Sequence, residues 1–80
     1  MKWHQFSILR LLLDAPGPMT GAQINDCLRH RIPAGSLYPE LSRLRARGLV
    51  AYAVGGAKLT KRGKIEFANF LKDNRLTLSN

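Results

Sequence analysis

Arginine recurs at alternate positions, Arg43, Arg45 and Arg47, within the stretch AGSLYPELSRLRARGLV, residues 34–50. A guanidinium is permanently charged and presents five N–H donors in a planar fork, a geometry that suits phosphate oxygens and the acceptor edge of guanine. At roughly 100° per residue on a helix, Leu37, Leu41 and Leu44 fall within about 60° of one another and predict a core-facing stripe. Opposite them lie Gly35, Pro39, Ser42 and Ala46, all small, with Arg43 beside them. Tyr38 and Arg45 form one flank of this helix, and Ser36, Glu40 and Arg47 the other. A small outer ridge lets a helix axis approach the floor of a groove while the flanks reach its walls. Ser36 and the amides near Gly35 stand at a helix N-terminus, a favourable place for a phosphate, and Tyr38 offers a phenolic donor. Ser42 and Arg43 are the candidates for base edges. The competing explanation is that the arginines only keep an exposed helix solvated.

The charge distribution favours the first explanation. The 80 residues carry 13 basic and 5 acidic side chains, a formal net charge of +8. Such an excess opposes compaction and implies a polyanionic partner, nucleic acid before an anionic membrane surface. From Arg29 to Lys64 the basic residues are Arg29, Arg31, Arg43, Arg45, Arg47, Lys58, Lys61, Arg62 and Lys64, against Glu40 as the single acid. Lys58, Lys61, Arg62 and Lys64 cluster where a fourth helix is expected to begin. Cations oppose the dipole at a helix N-terminus, so contact with phosphate is the expected compensation, with ordinary surface charges as the alternative.

Other chemistry is poorly represented. Asp14, Asp26, Glu40, Glu66 and Asp73 form no paired pattern, there is no glycine-rich phosphate loop, and no nucleophile stands beside a base in a known arrangement. No enzyme activity and no cofactor are expected. Cys27 and His30 could supply two metal ligands where a site needs three or four, so no metal is expected and Cys27 is assigned to the core. His4 is expected to be exposed. A single cysteine suits a reducing cytoplasm. The run Leu11 to Leu13 is far short of the ~20 residues of a membrane span, and MKWHQFS lacks a signal-peptide pattern. The expectation is a soluble cytoplasmic chain with no membrane partner and no small-molecule ligand, nucleoid-associated if DNA is bound.

Several elements must position these residues. Residues 3–15 predict a first helix with a polar stripe of His4, Ser7, Arg10 and Asp14, and Phe6, Ile8, Leu9, Leu12 and Leu13 around it. APGPM ends it, because a proline disfavours helix in the residue before it. Thr20 with Gln23 predicts a capping box for a second helix, with Ile24, Cys27 and Leu28 inward and an end near Arg31. The third helix runs from Gly35 or Ser36 to Arg47, with Pro39 in its first turn, where a missing N–H is tolerated, and Gly48 as left-handed cap. LVAYAV and AKLT, split by Gly55-Gly56, predict a hairpin. Thr60 caps a fourth helix over residues 61–73, whose inward residues are Ile65, Ala68 and Leu71. Phe67 and Phe70 broaden that face. The result is a mainly α fold with a small β-hairpin, in the order helix-helix-helix-strand-strand-helix, which is the winged helix-turn-helix plan.

PAGSLYPELSRLRARGLV resembles the recognition-helix signature of PadR-type transcriptional regulators. KLTKRGK is similar to the Leu-Thr-x-x-Gly segment that follows the wing there, and ILRLLLDAPGPMTGAQI resembles the opening of that family. The resemblance covers residues 8–71. It implies a repressor that binds double-stranded DNA as a homodimer on an inverted repeat, with Ser36, Tyr38, Pro39 and Arg43 facing the DNA. The expected organisation is a DNA-binding domain over residues 1–74 and a tail over 75–80. Two features depart from the family: the loop VGGA is short, and the long C-terminal dimerisation helix is not represented. Trp3, Phe67 and Phe70 are the substitute candidates for self-association. A protein-interaction module on the same fold and a non-specific architectural DNA binder remain the alternatives. RNA is disfavoured, because the basic face lacks exposed aromatics for base stacking.

Overall fold

The computed structural model describes residues 3–73. It holds helix α1 (Trp3–Asp14), α2 (Gly21–Leu28), α3 (Ala34–Ala46), strands β1 (Val50–Ala53) and β2 (Gly56–Leu59), and α4 (Lys61–Asp73), the expected order. The expected tail, residues 75–80, lies outside the described residues. Helix α1 is the hub, packing against each of the other three helices and against β2. It buries Phe6, Ile8, Leu9 and Leu12, with Leu11 and Leu13 partly covered. Gln5, not anticipated as an inward residue, is buried too.

Helix α2 starts as its sequence dictates. The Thr20 hydroxyl oxygen accepts the Gln23 N–H at 3.1 Å, and the Gln23 side-chain oxygen accepts the Thr20 N–H at 2.9 Å. Two donors of the first turn are thereby satisfied. Ile24 and Leu28 face the core, but Cys27 is exposed, contrary to its assignment there. A helix of eight residues meets its neighbours along a narrow line, and Cys27 falls beside that line, on a groove between α1 and α2. The helix ends at Leu28, earlier than expected, because its carbonyl accepts the N–H groups of both Arg31 and Ile32 at 2.8 Å.

Helix α3 begins at Ala34, with Pro33 as its N-cap residue. Pro39 is therefore the sixth helical residue and not in the first turn. It deprives the Gly35 carbonyl of a donor, on an exposed side of the helix where water can replace it. The other end follows the sequence closely. Gly48 has φ 77°, its N–H reaches the Arg45 carbonyl at 2.9 Å, and the Leu49 N–H reaches Leu44 at 3.0 Å. These are the paired bonds of a Schellman cap, with Leu44 and Leu49 both buried at its apolar contact.

The strands pair antiparallel, with Val50 opposite Leu59, Ala51 opposite Lys58, Tyr52 opposite Ala57 and Ala53 opposite Gly56. The turn is Val54-Gly55, one residue earlier than the Gly-Gly pair suggested, and Gly56 opens β2. An unforeseen bridge joins the chain between α1 and α2 to this hairpin. The Met19 N–H donates to Ala57 at 2.9 Å and the Ala57 N–H to Met19 at 2.7 Å. Gly56 lies so close to the Met19 carbonyl that a side chain there would collide with backbone.

Helix α4 turns Gly63, Phe67 and Leu71 inward, at i, i+4 and i+8. Ile65 and Ala68, expected inward, are exposed, because they lie on the far side of the helix from that row. Phe67 is 1% exposed and stacks on Phe6 with ring centroids 5.1 Å apart, so it is a core residue and unavailable for self-association. Phe70 is partly buried against the same ring at 5.6 Å, and Trp3 stands edge-on to it at 5.2 Å while remaining 70% exposed. Among the described residues no helix is long and apolar enough to cross a membrane.

Gly63 tests this packing, since a Cβ there would meet the backbone carbonyl of Leu49. Helix propensity alone favours Gly63→Ala by about 1 kcal/mol, whereas overpacking typically costs about 1–3 kcal/mol. Backbone yields less than a side chain, so the clash should win. The expected outcome is a net loss of up to about 2 kcal/mol, measured as a lower urea midpoint at unchanged slope. A raised midpoint would show that α4 does not seat on Leu49.

Candidate nucleic-acid interface

The two faces of α3 divide as its residue pattern requires. Leu37, Leu41 and Leu44 are buried, and Gly35, Pro39, Ser42 and Ala46 form an exposed ridge of small residues. Tyr38, Arg43, Arg45 and Arg47 are exposed beside it, and Ser36 is half-buried. One flank residue departs from expectation. Glu40 is only 4% exposed, because α1 packs over that side of the helix. Its Oε1 accepts from Arg43 Nη1 at 2.7 Å and, at the long limit of 3.4 Å, from Gln5 Nε2 of α1. A bond between two ionised groups is short and strong, which compensates for burying the carboxylate. Among the described residues no buried side-chain nitrogen or oxygen lacks a partner.

The other two arginines are held from different directions. The Arg45 guanidinium carbon lies 4.8 Å from the centroid of the Tyr52 ring on β1. This is cation–π geometry, worth about 0.5–1 kcal/mol at an exposed site. Arg47 Nη2 stands 3.9 Å from Glu66 Oε2 on α4, a loose surface pair of little energetic weight. The three arginines thus lean on α3 itself, on the hairpin and on α4. Tyr52 and Glu66 were missed in the sequence. Strand alternation puts Tyr52 on the same face as Val50, and the hairpin extends beyond the core, so the ring covers Arg45 and stays 48% exposed; with exposed Tyr38 it overturns the expectation that the basic face lacks exposed aromatics.

His4 was also missed. It is half-buried, and with Gly35, Ser36, Pro39, Glu40 and Arg43 it lines a cleft of about 450 Å³ beside the small ridge. Tyr38 lies over Gly21 at the start of α2, where an added Cβ would come 2.7 Å from its Oη. The phenol therefore stands at the α2–α3 junction.

The remaining basic candidates stand on β2 and at the start of α4. Lys58 is exposed opposite Ala51, on the hairpin face turned away from Tyr52 and Arg45. Lys61, Arg62 and Lys64 are exposed on the first turn of α4. Arg62 lies beside Gly48, its Nη1 4.0 Å from where a Cβ would stand. That is the C-terminus of α3, whose dipole favours a cation, so Arg62 has a compensation within the fold besides phosphate. Cys27 and His30 gain no further ligand, since no group of three His, Cys, Asp or Glu converges among the described residues.

Compared with protein-family models, with curated proteins and with solved structures, the chain matches none.

The Arg45–Tyr52 contact predicts an observable in the free protein. Protons above an aromatic ring are shielded, so the Arg45 δ-methylene resonances should lie upfield and return to ordinary positions in Tyr52→Ala. Tyr52→Phe should retain the shift. Unshifted resonances in the wild-type protein would show that the stack is not populated.

Proposed function

We propose that the chain is a winged helix-turn-helix protein that binds double-stranded DNA sequence-specifically and regulates transcription as a repressor, with α3 in the major groove. The observation that carries this reading is the exposed ridge Gly35, Pro39, Ser42 and Ala46, bordered by Arg43, which Glu40 holds, and by Arg45 and Arg47. A major groove of about 12 Å admits a helix, and small residues let it approach the base edges. In this reading α2 and α3 form the helix-turn-helix and the hairpin is the wing. Ser42 and Arg43 face base edges, while Ser36, Tyr38, Arg45 and Arg47 reach the phosphate walls. Lys61, Arg62 and Lys64 follow the flanking backbone, and Lys58 does so from the outer side of the hairpin. The resemblance of residues 8–71 to PadR-type regulators points the same way. Only Ser42 and Arg43 are assigned to base edges, so in this reading sequence-dependent DNA shape contributes to recognition. Two copies would bind an inverted repeat, and Trp3 with the exposed part of Phe70 is the surface offered for their contact.

Retention of mixed genomic DNA fragments across a salt series tests the reading. Six to ten phosphate contacts predict a loss of roughly 10³ to 10⁵ in affinity between about 50 and 200 mM salt. A palindromic sequence recovered at high salt is the expected result. Random recovered sequence would mean an architectural binder, and no retention at low salt would end the DNA reading in favour of a protein partner.

Two substitutions divide the contacts. Arg45→Ala should weaken binding uniformly across sequences and lower the salt slope by about 1, as for a lost phosphate contact. Arg43→Ala should reduce discrimination at one base pair by about 1–3 kcal/mol. Equal effects of the two on every sequence would remove Arg43 from base reading.

A further inference from the structure

Glu40 is the single acid between Arg29 and Lys64, and it sits on the helix that faces the partner in the reading above. An exposed carboxylate there would repel phosphate, and burial at 4% exposure removes that repulsion. Burial alone does not explain why the residue is an acid. The rest of the inward face of α3 is leucine, and replacing a buried ion pair by a packed apolar side chain is often neutral or stabilising. What the carboxylate adds is direction. It lies on the α1–α3 seam with Gln5 at 3.4 Å, and from there it holds Arg43 Nη1 at 2.7 Å.

Arg43 is otherwise an open side chain, 59% exposed. Tied at one nitrogen, its guanidinium is drawn toward the cleft of His4, Ser36 and Pro39 and stays beside the ridge. Such an arm can present its remaining N–H donors to a surface that approaches α3. It cannot swing out along a phosphate wall without breaking a charged bond. An untethered arginine would follow the nearest phosphate, which carries no sequence information.

We infer that Glu40 is a specificity-determining positioning residue, which fixes the Arg43 fork for a base edge and withholds it from the phosphate backbone. The inference rests on the proposed DNA binding. It makes removal of Glu40 strengthen binding to arbitrary DNA while weakening discrimination, an effect opposite to that of losing a contact.

The test compares Glu40→Leu and Glu40→Gln with the wild-type protein on two duplexes, one recovered by the salt-series selection and one of random sequence. With Glu40→Leu, affinity for the random duplex should rise and its salt slope should steepen by about 0.9, one additional phosphate contact. The ratio of selected to random affinity should fall about tenfold, within the range of one bidentate base contact. Glu40→Gln keeps the shape and an acceptor oxygen but not the charge, and should fall between. It also carries the test if the leucine variant does not fold.

Equal changes on both duplexes, with the slope unchanged, would overturn the inference and make Glu40 a packing residue only. A DNA-free reading separates the two levels. Slowed rotation of the Arg43 guanidinium in ¹⁵N NMR, abolished by Glu40→Leu, reports the tether itself. Its absence would overturn the inference on its own. A tether present in a protein that retains neither duplex would overturn the DNA reading, and this inference with it.

Discussion

The direction in which α3 leaves the core is set by a small knot of backbone around Leu49. The Schellman bonds at Gly48 and Leu49 close the helix, and the Leu49 carbonyl then accepts the Thr60 N–H at 3.1 Å. The Thr60 hydroxyl donates to the Gly48 carbonyl at 2.7 Å and accepts the Gly63 N–H at 2.9 Å. One threonine therefore caps α4 while anchoring the end of α3. Gly63 allows α4 to rest on the Leu49 backbone, and Leu49 and Val50 fill the core beneath. The end of α3, the start of the hairpin and the start of α4 share one set of hydrogen bonds, so none can rotate independently of the others.

That coupling extends to the charged surface. Each arginine of α3 rests on a group delivered by this scaffold: Glu40 on the seam with α1, Tyr52 on β1, and Glu66 on α4. Ordering a long side chain on binding costs about 0.5–1.5 kcal/mol. Arg43, held at 2.7 Å by Glu40, is the most confined of the three and loses least of that freedom, whereas the loose pair at Arg47 restrains that side chain little.

Much of the fold was legible because its signals are local. The capping box at Thr20, the left-handed Gly48 and the Thr60 cap each depend on residues within one turn, and each formed as read. The core stripe of α3 followed from its leucines. The failures involve interactions between elements. Cys27 and Ile65 stand at helical spacing from other apolar residues, Ile24 and Ala68, but whether they are covered depends on where a second helix lies. Phe67 broadened the apolar face of α4 and so suggested self-association, but the Phe6 ring of α1 covers it. The burial of Glu40 was half visible, since Arg43 stands three residues on, a spacing at which helix side chains meet. Its other half, Gln5, lies 35 residues away and no pattern connects them. The Met19 bridge is a single residue pair, too short for strand periodicity to register.

The Met19 bridge has a consequence for how the molecule behaves when crowded. A two-stranded ribbon has two free edges, each a template on which a strand from another chain could add. Here Met19 occupies the outer side of β2 at Ala57 with two backbone bonds, and β1 offers an edge of only four residues. That edge ends at a Gly55 turn with φ 97°, which breaks the extended line a recruited strand would need to follow. A chain of net charge +8 that bound a polyanion as proposed would lose, at high local density, the self-repulsion that keeps copies apart. Under that condition the Met19 bridge at Ala57 would limit backbone pairing between neighbours on the β2 side.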